Sequence, residues 1–401
     1  MSRQPALRHA AKATTLLGGA LVSLGLLLGG AAAAGAAPLD GAQPAAQPGA
    51  LPEAPLNSSL QVAGAQWAVL PMGDLGKVSD TFWQLVVLRS GATRWSLVTP
   101  PGVADNGGLV AAAGSHMLLS GFEPSQDLRF SPIAATSDVG QHWSPGILSS
   151  PLARVPDALS LAASGGALAL VDQPTSSLLS SSGDLSSWRP VLTASRLAKE
   201  AGVARCGPNR LDAVAAAPGG TLLGVACAKP GTVGIYEQGG SSWRPVGPAL
   251  PSAERGAQSA VLRLTDVAGG VSGLIATTLG NQSWLSATRR GTTTGAFSIS
   301  APLALAPGQA ITASGALPDG SVFALLSGHS GPRAVVLRAG APAEVLPSPP
   351  RGSATLAFGS ARVDALVVQG SSLTDYTLDA ASRHWVKRQV LQVPIQFGSS
   401  G

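Results

Sequence analysis

Charge is what this chain has least of. Asp, Glu, Lys and Arg make up 12% of its 401 residues, about half the share in an ordinary soluble domain. Tyr (2), Met (3) and Cys (2) are also scarce. Disorder requires low hydrophobicity with high net charge, and a chain that is 45% hydrophobic with so few charges does not fit it. No stretch of the body keeps a capped helical period, which excludes a helical bundle. The net charge of +5 is local: setting aside Arg3, Arg8 and Lys12 leaves 23 basic against 21 acidic residues, or +2. No basic cluster remains to serve as a nucleic-acid footprint. The five histidines, His9, His116, His142, His329 and His384, stand apart from one another. Neither a metal site nor a Ser-His-Asp set follows from them, and no phosphate loop or dinucleotide fingerprint occurs. No cofactor is implied.

What the chain has is turns. Gly (50) and Pro (31) separate short apolar runs, the pattern of an all-β domain. Ahead of them, MSRQPALRHAAKA is a positive leader, TTLLGGALVSLGLLLGG an apolar run, and AAAAGAAP an A-x-A site with Ala34 and Ala36 at the small positions. Residues 1–36 therefore read as a secretion signal. The rival reading is an uncleaved anchor, since the charge-free stretch from Ala13 to Leu39 is long enough to span a bilayer. Residues 37–57, rich in Pro, Ala and Gln, read as an extended spacer. Cys206 and Cys227 lie in the exported part, and an even count there suggests one disulfide. The Pro218–Gly220 turn would put them near the open end of one hairpin.

From 58 to 397 the chain repeats. Trp95, Trp143, Trp188, Trp243 and Trp385 each follow a short polar turn and open a strand-like run. Phe297 holds the same place in a further unit. VVLRAGAPAEVLPSPP, from Val335, matches VVLRSGATRWSLVTPP, from Val86. That gives seven units of about 48 residues, a period expected of propeller blades, each splitting into four short runs. The first run of each is rich in Ala, Ser and Gly, suited to crowded strands around an axis. The expected fold is a seven-bladed β-propeller of four-stranded antiparallel blades. A β-sandwich, the main competitor, needs about seven strands, far fewer than the runs present.

TSDVGQHW, Thr136 to Trp143, resembles the Asp-box, or BNR repeat, of sialidase-like propellers, with Thr136, Asp138, Gly140 and Trp143 in form and His142 where Thr is usual. Other turns are degenerate: Gly183, Gln238 and Ser90 stand at the Asp position when counted back from the Trp. The resemblance implies a structural turn joining the third and fourth strands of a blade, away from any catalytic face. Its physics agrees, since Thr and Asp accept local backbone N–H groups and Trp carries a large apolar area between sheets. Sialidase chemistry needs a Tyr nucleophile paired with Glu, an acid/base Asp and an Arg cluster. Neither Tyr236, placed in a degenerate turn, nor Tyr376, in the last unit, fits that role, and the family's Arg-Ile-Pro segment is missing at Phe130. No catalytic residue is assigned.

The loops leading into the first runs carry Arg154, Arg210, Arg255 and Arg351, with Asp157, Asp212 and Glu254 beside them. One reading is an arginine-lined mouth for an acidic ligand; the other is local solvated ion pairs. The long polar loops PMGDLGKVSD and FEPSQDLRFS are a second candidate surface. The expected function is an exported, monomeric binding or assembly module. Its partner would be a protein or an anionic glycan or wall polymer, with the membrane touched only through the N-terminal segment. A divergent glycan-active hydrolase is the alternative.

Overall fold

Short strands separated by glycine-rich turns account for nearly all regular structure from residue 59 to residue 393. The computed structural model describes these residues except 63–64, 74–80, 100–108, 114–117, 123–132, 146–155, 162–165, 173–174, 218, 292–294, 329–330 and 360–361. The signal, the spacer, Arg154, His116, His329 and most of the two long polar loops therefore lie outside the described residues.

The strands come in consecutive sets. The first is β1 (Ser59–Val62), β2 (Ala65–Gly73), β3 (Thr81–Leu88) and β4 (Ser96–Leu97). The second is β5 (Leu109–Ala113), β6 (Leu118–Phe122), β7 (Ile133–Thr136) and β8 (Ser144–Pro145). The third is β9 (Ala158–Leu161), β10 (Ala167–Val171), β11 (Ser177–Ser181) and β12 (Trp188–Thr193). The fourth is β13 (Pro208–Ala217), β14 (Gly220–Cys227), β15 (Ile235–Gly239) and β16 (Ser242–Pro245). The fifth is β17 (Gln258–Val267), β18 (Gly270–Leu279) and β19 (Gln282–Gly291), with two short strands, β20 (Ser298–Ile299) and β21 (Leu303–Leu305), both against β19. The sixth is β22 (Ile311–Ala316), β23 (Val322–Leu326), β24 (Arg333–Leu337) and β25 (Glu344–Val345). The last is β26 (Ser353–Phe358), β27 (Val363–Gln369), β28 (Ser372–Leu378) and β29 (Trp385–Gln392). Neighbours within each set pair antiparallel. A single parallel register pair, Ser59 with Gly315, links the first set to the sixth. Helix is nearly absent among the described residues: α1 (Ala194–Leu197) is one turn, and Ser252–Glu254 forms a 3-10 turn.

The second strand is buried on both faces in the third and sixth sets. All five residues of β10 and of β23 are inaccessible. A strand covered on both sides reads as a continuous apolar run rather than an alternating one, which is why ALALV and VFALL show no period of two. Last strands differ: β16 exposes three of its four residues, and β25 exposes both.

Each apolar cluster is shared by two sets. Leu168, Leu170 and Leu178 of the third meet Leu211, Val214, Leu223 and Trp243 of the fourth. Ile133 and Ala135 of the second meet Leu179 and Trp188 of the third. Phe297 of the fifth packs on Ile235 and Val233 of the fourth, and Trp385 of the last on Phe323 and Val336 of the sixth. The aromatic of a set thus docks on the set before it. Trp95 of the first set has no earlier one, and it packs with Ala357, Leu366, Leu373 and Val393 of the last. Val393, from the LQVPIQF segment, is buried in this seam beside Leu391.

The β13–β14 hairpin turns where Ala217 faces Gly220, and Pro208 faces Cys227 at its open end. Cys206 and Cys227 form a disulfide there, as the spacing suggests. The sulfurs fill space beside Gly234, where a Cβ would lie 2.9 Å from Cys227 Sγ and 3.0 Å from Cys206 Sγ. The bond anchors the connection that carries α1, whose Leu197 and Val203 enter the same cluster. Changing both cysteines to alanine is expected to cost about 3 kcal/mol, the magnitude for closing a loop of this order. Urea denaturation of oxidised wild type and the double variant measures it. Amide exchange should rise first across residues 194–207.

Candidate functional site

The TSDVGQHW turn joins β7 to β8 and closes on itself. The Thr136 hydroxyl donates to Asp138 Oδ1 at 2.8 Å and accepts from the Gly140 amide at 3.0 Å. Asp138 Oδ1 also accepts from the amides of Gln141 and His142, at 3.1 and 2.9 Å. The His142 amide, and then its ring, hold the Asp138 carboxyl well below the usual range. Gly140 has φ +78°, and a Cβ on it would come within 2.8 Å of Val98 Cβ. Trp143 Nε1 donates to the Val98 carbonyl at 3.0 Å, tying the second set to the first. The oxygens of Thr136 and Asp138 are thus spent on the turn itself.

The same turn recurs where counting back from the tryptophan misses it. In SSGDLSSW the acceptor is Asp184, not the residue at Gly183. Ser182 Oγ donates to Asp184 Oδ1 at 2.6 Å, and the Ser186 amide follows at 3.0 Å. These bonds, the Ser182 one foremost, push the Asp184 carboxyl down to about 2. Leu185 has φ 61°, as does Val139 after Asp138. The loop is one residue shorter before its Trp, so a count from the hydroxyl residue finds Asp184. Asp379 accepts from the Ser382 amide at 2.7 Å in the last set.

The arginines are distributed as follows. Arg210, on β13, is exposed and ion-paired to Asp212 two residues on. Asp157, just ahead of β9, accepts from the Asp172 amide at 2.7 Å. Arg255 is exposed in the lead-in to β17, and Arg351 is exposed in the turn ahead of β26. All three described arginines stand where a set's first strand begins. Glu254, beside Arg255, turns inward: its carboxylate accepts from Thr277 Oγ1, it is fully buried, and burial raises its pKa.

Three more buried carboxylates escape a sequence reading, because strand register rather than spacing assembles them. Glu237 on β15 accepts from Arg244 Nε at 2.9 Å and from Arg290 Nη2 of the fifth set at 2.8 Å. In the last set, Arg362 Nη2 lies 2.7 Å from Asp364 Oδ2 and 3.3 Å from Asp375 Oδ2. Thr377 Oγ1 donates to Asp364 Oδ1 at 2.8 Å. Asp364 and Asp375 are 0% and 2% exposed, and they share a strand face with Leu366 and Leu373 in the seam with the first set. Gln389, opposite Asp375, grips the Trp95 backbone at both N–H and C=O, at 2.8 and 3.1 Å. Asp364 faces Ala357 near the end of β26 away from Arg351, while Asp375 lies across Leu366 from Thr355, midway along that strand. Tyr236 lies within β15 rather than in the turn expected for it, and burial pushes its phenol up to about 12, the opposite of an activated nucleophile.

Burial, and then the neighbouring Asp364 charge, push Asp375 up to about 7. The folded chain therefore holds a proton there that the unfolded chain releases near pH 4. Its contribution to stability is complete below pH 4 and declines as pH rises to 7. Asp375→Asn is expected to remove that decline, melting above wild type at pH 8 and close to it at pH 4. Thermal melts across this range check it.

No protein-family model matches the sequence, and no curated protein matches it. Solved structures resemble it at low identity. A puromycin-hydrolyzing peptidase of Mycobacterium tuberculosis is 14% identical with a TM-score of 0.47, over 84% of this chain and 53% of that one. This chain thus spans about half the peptidase's length. YCF48 bound to D1 peptide is 14% identical, TM-score 0.43, over 82% of this chain and 95% of the other. An ancestral GH74 enzyme is 10% identical, TM-score 0.44, over 86% and 47% respectively.

Proposed function

We propose that this chain is an exported seven-bladed β-propeller, four strands to a blade, that works by binding rather than by catalysis. The sets described above are its blades, and the shared apolar clusters are the seams between them. Trp95 reaching the last set supports ring closure, because it continues the rule by which Trp143, Trp188, Trp243, Phe297 and Trp385 each dock on the preceding set. The disulfide fits an oxidising compartment outside the cytoplasm. The Thr136, Asp138, Gly140 and Trp143 turn is a fastener in this reading, and no catalytic role is given to it.

One observation carries the non-catalytic reading. Asp364 and Asp375 are closed off in a seam around Arg362, and Asp157, beside Asp172, has one carboxylate oxygen taken by the Asp172 amide. A glycosidase needs two carboxyls flanking a bond it can reach. What faces solvent at the first-strand ends is Arg210, Arg255 and Arg351, joined by Arg154 if that loop follows the same plan. Such a mouth suits an acidic ligand, a protein segment or an anionic glycan or wall polymer.

The test is crosslinking of the chain from Ala37 onward in its own envelope extract. It is run beside a variant with Arg154, Arg210, Arg255 and Arg351 changed to Ala. The expected result is a stoichiometric partner captured by the wild type and lost in the variant. Equal capture by both would remove the arginine mouth. Turnover of a glycan by the wild type would favour the hydrolase alternative.

A further inference from the structure

The connection between β12 and β13 is the most built-up lead-in among the described residues. Thr193 caps it, accepting from the Arg196 amide at 3.2 Å. Leu197, Val203 and Cys206 pin it into the apolar cluster between the third and fourth sets. The disulfide fastens its end to β14. Lys229, just past Cys227, donates from Nζ to the Ala204 carbonyl at 2.9 Å and from its amide to the Cys206 carbonyl at 2.9 Å. Its stem lies over Gly207, where a Cβ would be 3.5 Å from Lys229 Cγ.

This anchored segment is basic on its outer side. Arg196, Lys199 and Arg205 are exposed on it, and Lys229 beside it. None of the four makes an ion pair among the described residues. Unpaired cations on a floppy loop would be ordinary solvated charges. Here the backbone beneath them is fixed, so their spacing is set before any ligand arrives, and preorganisation lowers the cost of binding. Glu200 lies among them within the segment, and the carboxylates of Asp212 and Asp157 lie beside Arg210, where the segment runs into β13. A uniform polyanion would meet those carboxylates with repulsion. A protein segment with spaced carboxylates would not, and like-charge contacts of this kind are how wrong partners are rejected.

We propose that the disulfide-stapled segment carrying Arg196, Lys199 and Arg205, with Lys229, is a docking surface for an acidic segment of a protein partner. The inference rests on the binding reading above and moves its centre from the arginine mouth to this one rim.

The test titrates the full oxidised chain with two labelled probes, a peptide of Glu and Asp spaced by neutral residues, and polyphosphate. The peptide is expected to bind the wild type, more weakly at about 0.3 M salt. Arg196→Glu with Arg205→Glu should weaken it about tenfold or more, while Arg94→Ala with Lys387→Ala, exposed elsewhere on the chain, changes it by less than about twofold. Both variants alter exposed side chains and keep the core, which far-ultraviolet circular dichroism verifies. Peptide binding that is indifferent to the charge reversal overturns the inference. So does tighter binding of polyphosphate than of peptide. Loss only on changing Arg255 and Arg351 overturns it too, but leaves the mouth reading standing. A wild type that binds no peptide, yet captures a partner through the mouth arginines in the crosslinking experiment, sinks this inference alone.

Discussion

Six of the seven seams in this molecule are built on a large aromatic side chain pressed between two sheets, and the seam between the fifth and sixth sets is filled by aliphatic side chains instead. A four-stranded meander of short strands has two apolar faces and cannot bury either by itself. Stacking meanders face to face covers both. Tryptophans help set the spacing of the stack, and two of their indole N–H groups bond a carbonyl on the adjoining set, Val98 for Trp143 and Pro347 for Trp385. The polar turn before each tryptophan fixes the angle at which the ring enters. Thr136 with Asp138, and Ser182 with Asp184, are therefore packing devices in effect, although their own bonds are local.

The seam between the last set and the first is chemically unlike the others. Its apolar part is conventional, but it also encloses Arg362, Asp364, Asp375, Thr377 and Gln389. Two ionised carboxylates around one guanidinium would leave an excess of negative charge in a dry place, and Asp375 avoids this by keeping its proton up to about pH 7. The amide of Gln389 makes the seam specific by reading the Trp95 backbone at both donor and acceptor. Glu237, held by Arg244 and Arg290, does comparable work between the fourth and fifth sets, with Arg290 also 5.9 Å above the Phe297 ring.

Much of the architecture was legible in the sequence because tryptophan and turn residues repeat at visible intervals. The matched segments from Val86 and Val335 occupy equivalent third strands, β3 and β24. The disulfide was legible from a hairpin turn midway between two cysteines. Asp184 was hidden by a single-residue deletion that shifts any count made from the tryptophan. The buried carboxylates were illegible for a deeper reason. Asp364 and Asp375 meet only because β27 and β28 pair in one register, and Glu237 meets Arg290 across two sheets. The arginines were visible as residues, but which of them are exposed and which are paired depends on the fold.

The docking rule has a consequence for how the chain is made. A nascent chain can place each sheet on the one already emerged, since Trp143 seeks the first set, Trp188 the second and Trp243 the third. The opposite face of the first sheet, with Leu70, Met72, Phe82 and Trp95, finds no cover until the final strands arrive. Until then an oily surface stands open, and non-local closures of this kind are slow and prone to aggregation. The oldest part of the protein in time is the last to be finished, and the interval between the two is when the chain is most in need of a chaperone.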